Sequence, residues 1–410
     1  MSERVVVTGC GLVTPLGNGI AANIAALKQG KSGIVHMPDF AEVGLESAVA
    51  GLSDREVESP AFTQKNKRFM SPNSIFAVAA AYEAVTNAGF TMESFAERTP
   101  ALINGCAGSS YKTVYDNSRV FVETGRLRRV SPFAVPRTMP SSAVANISLI
   151  FGIKGESYDI SAACTSGALS IIAGARLILS GEYDCVMVGG SEEASWQLAL
   201  GFNAMRALSH NYNDNPETAS RPFDKSRDGF VLGEGAGMLI LESESSAKKR
   251  GAKILAYLSG FATNSNASDM VVPDAVSSSE VMRRALENAG LKPSDIDYIN
   301  THGTATPVGD PVEMESIRTL FEGTNVAINS TKSMTGHMIG AAGAVEAIFS
   351  ILMMQDSFIC PTANLKDPED DFAWADLVKE TREGVNVRHA LSNSFGFGGS
   401  NACLVFSKPE

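Results

Sequence analysis

Residues 157–179, SYDISAACTSGALSIIAGARLIL, read as a strand, a sharp turn and a buried helix. Small residues crowd around Cys164. Beyond it Ala, Leu, Ile and Gly continue for about four helical turns with Arg176 as the only charge, and Gly181 stands where a helix-ending glycine belongs. This pattern predicts Cys164 at or beside a helix N-terminus, where unpaired N–H groups and the helix dipole favour thiolate over thiol and lower its pKa. Ala162, Ala163 and Gly167 leave room for a substrate to come close. A free cysteine in an apolar run is more often an inert core residue, so a catalytic reading needs support from elsewhere in the chain.

That grammar returns farther on. Residues 329–355, NSTKSMTGHMIGAAGAVEAIFSILMMQ, again place a strand and a small-residue turn before an Ala/Gly-rich apolar helix. From about residue 252 the order of elements also begins again, with a strand at 254–261, a helix at 277–289 capped by Gly290, and a strand at 296–301. Two α/β halves, 1–250 and 251–410, are therefore expected, with their equivalent helices packed against each other.

Composition agrees with a large globular protein. The chain has 410 residues, 44% hydrophobic and 19% charged, with 37 glycines spread along it, more than one hydrophobic core usually serves. The six cysteines (10, 106, 164, 185, 360 and 403) lie singly, which suggests neither a disulfide framework nor a zinc knuckle and fits a reducing cytoplasm. No signal-type apolar segment opens the chain and no unbroken apolar run of membrane-spanning length occurs, so a cytoplasmic protein with no membrane association is expected. A net charge of −11 argues against nucleic acid as a partner.

Residues 4–8 read as a strand followed by a glycine-punctuated loop, GCGLVTPLGNG. A dinucleotide site is rejected there, because Thr14 occupies the third glycine position of G-x-G-x-x-G and no acidic residue ends a second strand nearby. Lys65, Lys67 and Arg68 precede a helix at 71–88, and Arg126, Arg128 and Arg129 form a second basic knot; both read either as docking points for an acidic partner or as solvated loop charge. Residues 111–135 read as an irregular covering segment, 184–190 and 236–241 as buried strands, and 192–200 as a helix. Asp224, Arg227 and Asp228 read as charges that pair to fix a loop.

Four segments share an apolar strand running into a polar, glycine-bearing turn: SAACTSG, NTHGTATPVGDPVE, NSTKSMTGH and SNSFGFGGSN. Open α/β sheets gather active sites at the carboxyl ends of strands, so these turns should converge, bringing His302, Lys332 and His337 towards Cys164. A papain-type thiol protease is disfavoured because C-G-[SA]-C-[WY] is missing around Cys164. Metal hydrolysis is disfavoured because the two histidines lie 35 residues apart with no H-E-x-x-H. Acyl transfer through a thioester, with a cysteine nucleophile and polar groups to hold developing oxyanions, fits better.

ACTSG around Cys164, HGTATPVGD from His302, STKSMTGHMIGAAG from Ser330 and NSFGFGGSN from Asn393 resemble the four signatures of the β-ketoacyl-acyl-carrier-protein synthases of the thiolase superfamily, in the family's order and across essentially the whole chain. The segment from His210, HNYNDNPETASRPFDKSRDGFV, is more similar to synthase I than to synthase II, and Gly108 stands where synthase II tends to carry a bulkier residue. The resemblance implies a thiolase-like α/β fold, a five-layer αβαβα sandwich of two similar halves, acting as a homodimer in fatty acid biosynthesis. It implies Cys164 as nucleophile, His302 and His337 as donors to the malonyl carbonyl, Lys332 and Glu313 as an ordering ion pair, and Asp310 as support for its loop. The backbone N–H groups of Cys164 and Phe397 would form the oxyanion hole, and Gly108, Phe202, Phe395 and Phe397 the acyl pocket and its gate. Substrates would arrive on the phosphopantetheine of acyl carrier protein, docked on the basic residues above, with no metal and no separate cofactor. Three rivals stay open: a thiolase, disfavoured because His337 stands where that family uses a second cysteine; a synthase II-type or polyketide ketosynthase; and a non-catalytic chain-length-factor subunit, which typically lacks the nucleophile.

Overall fold

In the computed structural model, which describes residues 3–409, the principal sheet has twelve strands, ten of which carry the topology. They are β1 (Val5–Thr14), β2 (Ala101–Gly105), β3 (Ser157–Ile160), β4 (Cys185–Glu192), β5 (Gly235–Ser243), β6 (Ala256–Ser265), β7 (Tyr298–Asn300), β8 (Ala327–Asn329), β9 (His389–Gly396) and β10 (Ser400–Ser407). The helices that matter are α1 (Pro72–Asn87), α2 (Tyr111–Thr124), α3 (Ser166–Leu179), α4 (Ala275–Ala289), α5 (Gly309–Phe321) and α6 (Ala342–Gln355).

Strand order exposes the duplication. The first half runs β1-β5-β4-β2-β3, with two antiparallel pairings followed by two parallel ones. The second runs β6-β10-β9-β7-β8 with the same sequence of directions. Each strand thus has a counterpart five later in the chain. The halves join through a short antiparallel contact of β1 with β6, registered at Val6 with Tyr257 and Val7 with Ala256.

Period-two alternation along the strands assigns the layers. Val186 and Val188 of β4 face the central core with α3 and α6, whereas Cys185 and Met187 face the outer core with α1. In the second half Leu404 and Phe406 point to the centre, and Cys403 and Val405 point out towards α4 and α5. The result is the expected αβαβα sandwich. Its middle layer is the crossing of α3 and α6, which has no room for side chains: a Cβ on Gly167 would lie 2.8 Å from the Ala344 nitrogen, and one on Gly343 2.8 Å from the Ala168 nitrogen.

Three expectations about local structure are corrected. The first strand does not stop at Thr8 but continues to Thr14, so Gly9 and Gly11 lie inside it. They mark a close backbone approach to α1, since a Cβ at Gly9 would come 2.3 Å from the Ala84 oxygen and one at Gly11 2.1 Å from the Ala80 oxygen. Residues 111–124 are a regular helix, started by the Ser110 side chain and ended by Gly125 in the left-handed conformation. None of its residues is buried, and Tyr111, Val114, Tyr115, Phe121 and Val122 are exposed. Its apolar side chains are only partly covered, Tyr115 meeting the Trp196 ring edge to face at 4.9 Å, and that weak burial hid it as an element. The expected helix at 192–200 starts only at Trp196, because Glu192 still belongs to β4.

Candidate active site

Cys164 stands in the turn between β3 and α3, one residue before the N-cap Thr165. Ala163 before it adopts φ +49°, a left-handed conformation costly for a residue with a Cβ. Gly105 makes the turn possible, since a Cβ there would sit 2.3 Å from the Ser166 carbonyl carbon. The Thr165 hydroxyl bonds that of Ser400 at 3.0 Å, tying the nucleophile turn to the glycine-rich hairpin of the second half. The backbone N–H groups of Cys164 and Phe397 both point at the sulfur.

The second half supplies the histidines. His302 follows β7; its backbone N–H and that of Gly303 donate to the Glu313 carboxylate of α5 at 2.8 and 2.6 Å. His337 follows β8 and the single turn Lys332–Thr335, its backbone held by the Val231 oxygen at 2.7 Å. The two rings meet edge to face with centroids 5.2 Å apart, and His337 Nε2 lies 2.9 Å from Cys164 Sγ. Phe230 packs on His337 and Phe395 on His302.

Burial dominates the electrostatics. It pushes both histidines well below the usual imidazole range, helped by the nearby Lys332 ammonium, so both rings are neutral. It also pushes the Cys164 thiol up to about 11, against the expected lowering. Lys332 and the two N–H groups pull the other way, but desolvation outweighs them. Because the thiolate fraction then grows with pH, alkylation of Cys164 by iodoacetamide should rise about tenfold per pH unit between about pH 6 and about pH 9. Peptide mass spectrometry at Cys164 reads this, and a plateau below about pH 8 would contradict it.

The expected Lys332–Glu313 ion pair is not formed. Lys332 pairs with Glu346 of α6 at 2.5 Å, both side chains being fully buried, while Glu313 is occupied by the backbone of the His302 turn. Glu346 is the residue that sequence reasoning missed, although it is the only charge in an otherwise apolar helix. Asp310 accepts from the N–H groups of Phe223 at 2.9 Å and Ala305 at 3.0 Å, which fixes its loop. Asp224, Arg227 and Asp228 act as loop fasteners: Asp224 takes the Lys366 and Asp367 amides, Arg227 reaches the Thr306 carbonyl, and Asp228 takes the His210 and Asn211 amides.

Cys164 and both histidines open into a cavity of about 550 Å³, whose lining includes Gly108, Phe202, Phe395 and Phe397. The sulfur and one nitrogen of each ring lie within 4.8 Å of one another, a donor set that could hold a soft metal ion, although the buried Lys332 ammonium opposes a cation there. Of the basic residues, Lys65, Arg68, Arg126, Arg128 and Arg129 are exposed, whereas Lys67 is partly covered and pairs with Glu58 at 3.0 Å. The Arg68 guanidinium lies over the Phe133 ring, and Arg137 donates to the Arg68 carbonyl, so the segment holding the first knot packs against the chain that follows the second.

Comparison with known proteins gives the same picture. The beta-ketoacyl synthase N-terminal domain matches residues 2–247 and the corresponding C-terminal domain residues 255–366. The chain is 39% identical to 3-oxoacyl-[acyl-carrier-protein] synthase 1 of Haemophilus influenzae and 40% identical to 3-oxoacyl-[acyl-carrier-protein] synthase 2 of Vibrio harveyi, covering 99% of both chains in each case. Among solved structures, a beta-ketoacyl synthase from Burkholderia phymatum superposes with a TM-score of 0.93 at 34% identity over 100% of both chains. A type II polyketide acyl-carrier protein in complex with its ketosynthase, bound to the hexaketide, gives 0.90 at 29% identity, again over 100% of both chains. With a buried cysteine and two neutral histidines converging from two like halves, and with both domains matched in order, the chain belongs to the beta-ketoacyl synthase family.

Proposed function

We propose that this protein is a 3-oxoacyl-[acyl-carrier-protein] synthase of fatty acid elongation. One observation carries the reading: Cys164 Sγ lies 2.9 Å from His337 Nε2, with His302 beside it, inside a cavity large enough for an acyl chain. In the first step the thiol attacks the acyl thioester, the N–H groups of Cys164 and Phe397 hold the carbonyl oxygen, and the carrier thiol leaves with the proton. Malonyl thioester then loses CO2 while His302 and His337 donate to its carbonyl oxygen. Neutral imidazoles suit that task, because each keeps a donor N–H at neutral pH; a hydrogen bond to a charged oxygen contributes about 1.5–3 kcal/mol, up to roughly a hundredfold in rate. The enolate carbon attacks the acyl-cysteine, the Cys164 thiolate departs and takes up a proton, and the product carries two more carbons.

Several finer points belong to the same proposal. Cavity residue Gly108 adds no side-chain bulk, which supports type I behaviour, with Phe202 along the wall and Phe395 and Phe397 as the gate. The exposed apolar residues of α2 suit a homodimer interface. Lys65, Lys67, Arg68, Arg126, Arg128 and Arg129 suit an acidic acyl carrier protein. Six unpaired cysteines suit the cytoplasm, and among the described residues no helix is long and apolar enough to cross a membrane. The boundary near residue 250 separates the nucleophile half, 1–250, from the histidine half, 251–410.

Intact-protein mass spectrometry tests the reading. Mixed with saturated or cis-unsaturated medium-chain acyl carrier protein, the enzyme should gain one acyl mass at Cys164 and release it on addition of malonyl carrier protein as a two-carbon-longer ketoacyl product. Efficient use of the unsaturated chain favours type I. No covalent acyl mass would sink the proposal in favour of a non-catalytic subunit. In the same assay Lys65→Glu with Arg128→Glu should slow loading from carrier protein and spare a small thioester; equal effects on both would dismiss the docking residues.

A further inference from the structure

We propose that Glu192 is a positioning residue for acyl selectivity: its carboxylate fastens the cavity wall at Ala107 and Gly108 to the turn that follows His337. The inference rests on the condensing reading above and deepens it.

Glu192 ends β4 and is fully buried. Its Oε2 accepts from the N–H groups of Ala107 at 3.0 Å, Gly108 at 3.2 Å and Gly340 at 3.2 Å, and its Oε1 from Gly108 at 3.3 Å, with the Cys106 thiol 3.8 Å away. These donors come from both halves of the molecule. Ala107 and Gly108 lie in the turn after β2, whereas Gly340 lies three residues beyond His337, just ahead of α6. Ala107, Gly108 and Ile339 all line the cavity that holds Cys164. One buried carboxyl group, pushed up to about 7 by its burial, therefore sits behind the wall and sets the gap between its two sides.

The Cys106 thiol and the Ser161 hydroxyl hold the Gly108 and Ala107 carbonyls at 3.1 and 3.4 Å, but the N–H side of both turns rests on Glu192. Glycine at 108 and 340 offers no side chain to pack and lets the turns come close to it: a Cβ at Gly340 would lie 2.4 Å from the Ala107 nitrogen and 2.9 Å from Oε2, and one at Gly108 3.1 Å from Oε1. Without Glu192 the buried Gly340 N–H and the partly buried N–H groups of Ala107 and Gly108 would lose their acceptor, so the turns would have to move to find others. An amide with its oxygen in the Oε2 position would still accept from all three N–H groups and forfeit only the second Gly108 contact, whereas Glu192→Ala removes the acceptor from all three.

The experiment compares wild type and Glu192→Ala as full-length proteins, with hexanoyl and tetradecanoyl carrier protein as condensation substrates and malonyl carrier protein alone for decarboxylation. The ratio of kcat/KM for the two chain lengths should shift by about tenfold, the scale on which a pocket discriminates a methylene or two. Decarboxylation, which uses the histidines and not the acyl cavity, should stay within about twofold of wild type. Glu192→Asp, which keeps the carboxyl group but withdraws it from the N–H groups, should shift the ratio in the same direction by less. A parallel fall for both chain lengths with an unchanged ratio would overturn the proposal. So would failure of both variants to fold, since Glu192 would then be a core group only. Should wild type itself condense neither substrate, the condensing reading is what fails, and that result is separate from any difference between variants.

Discussion

Replacing Cys164 by alanine should abolish condensation and the covalent acyl intermediate together, while malonyl decarboxylation should continue. The distinction follows from the geometry. In the proposed mechanism only the sulfur accepts the acyl group, and the groups assigned to the enolate, His302 and His337, belong to the other half and are held by their own partners, Glu313 and the Val231 carbonyl. Cys164→Gln should decarboxylate as well, because a planar amide in place of the thiol mimics the acyl-enzyme and can accept from the N–H groups of Cys164 and Phe397 that now face Sγ. Carbon dioxide release and product formation, measured on the same samples, decide the matter. A variant at position 164 that still elongates at the wild-type rate removes the nucleophile assignment, and loss of both activities would mean that the sulfur also supports enolate formation.

The second large effect is expected at Glu346. Glu346→Ala leaves the Lys332 ammonium buried without its partner, a change that destabilises proteins by about 3–5 kcal/mol. Both side chains are buried, at 1% and 2% exposure, so solvent cannot replace the lost contact. Burial pushes the Glu346 carboxyl up to about 7 even with Lys332 beside it, which means that the pair only partly repays its own desolvation. The double variant Lys332→Met with Glu346→Leu should therefore recover most of the stability lost by Glu346→Ala, yet remain catalytically impaired, because the charge that helps to keep His302 and His337 unprotonated is gone. Urea unfolding of the three proteins with parallel activity assays checks this. A cost below about 1 kcal/mol for Glu346→Ala, as for an exposed pair, would contradict it.

The sequence made the site more legible than the scaffold details. The four turns could be found because each couples a run of strand residues to glycines and to one reactive side chain, and convergence at strand ends follows from the sheet alone. What stayed hidden depended on long-range partners. Gly9 and Gly11 look like a loop until α1 is known to press on β1. Lys332 was paired with Glu313, and Glu346 was missed, since nothing local shows that the backbone amides of His302 and Gly303 already occupy Glu313. The Cys164 thiol was misjudged because the helix end is visible in the sequence whereas the depth of burial is not. Helix α2 escaped notice because none of its residues is buried and its apolar side chains, Tyr115 against Trp196 among them, find only partial cover within the chain.

The five-strand offset between the halves has a consequence for how labour is divided within the molecule. Strand β3 leads to Cys164, and its counterpart β8 leads to Lys332 and His337, so equivalent positions carry a thiol in one copy and a buried lysine and an imidazole in the other. β4 leads to Glu192, and its counterpart β9 to the Phe397 amide. Two unaltered copies of either half would set sulfur against sulfur or imidazole against imidazole across the central α3 and α6 crossing. Catalysis here is a property of divergence between duplicates, and a chain cut near residue 250 would regain it only as a complementing pair of unlike fragments.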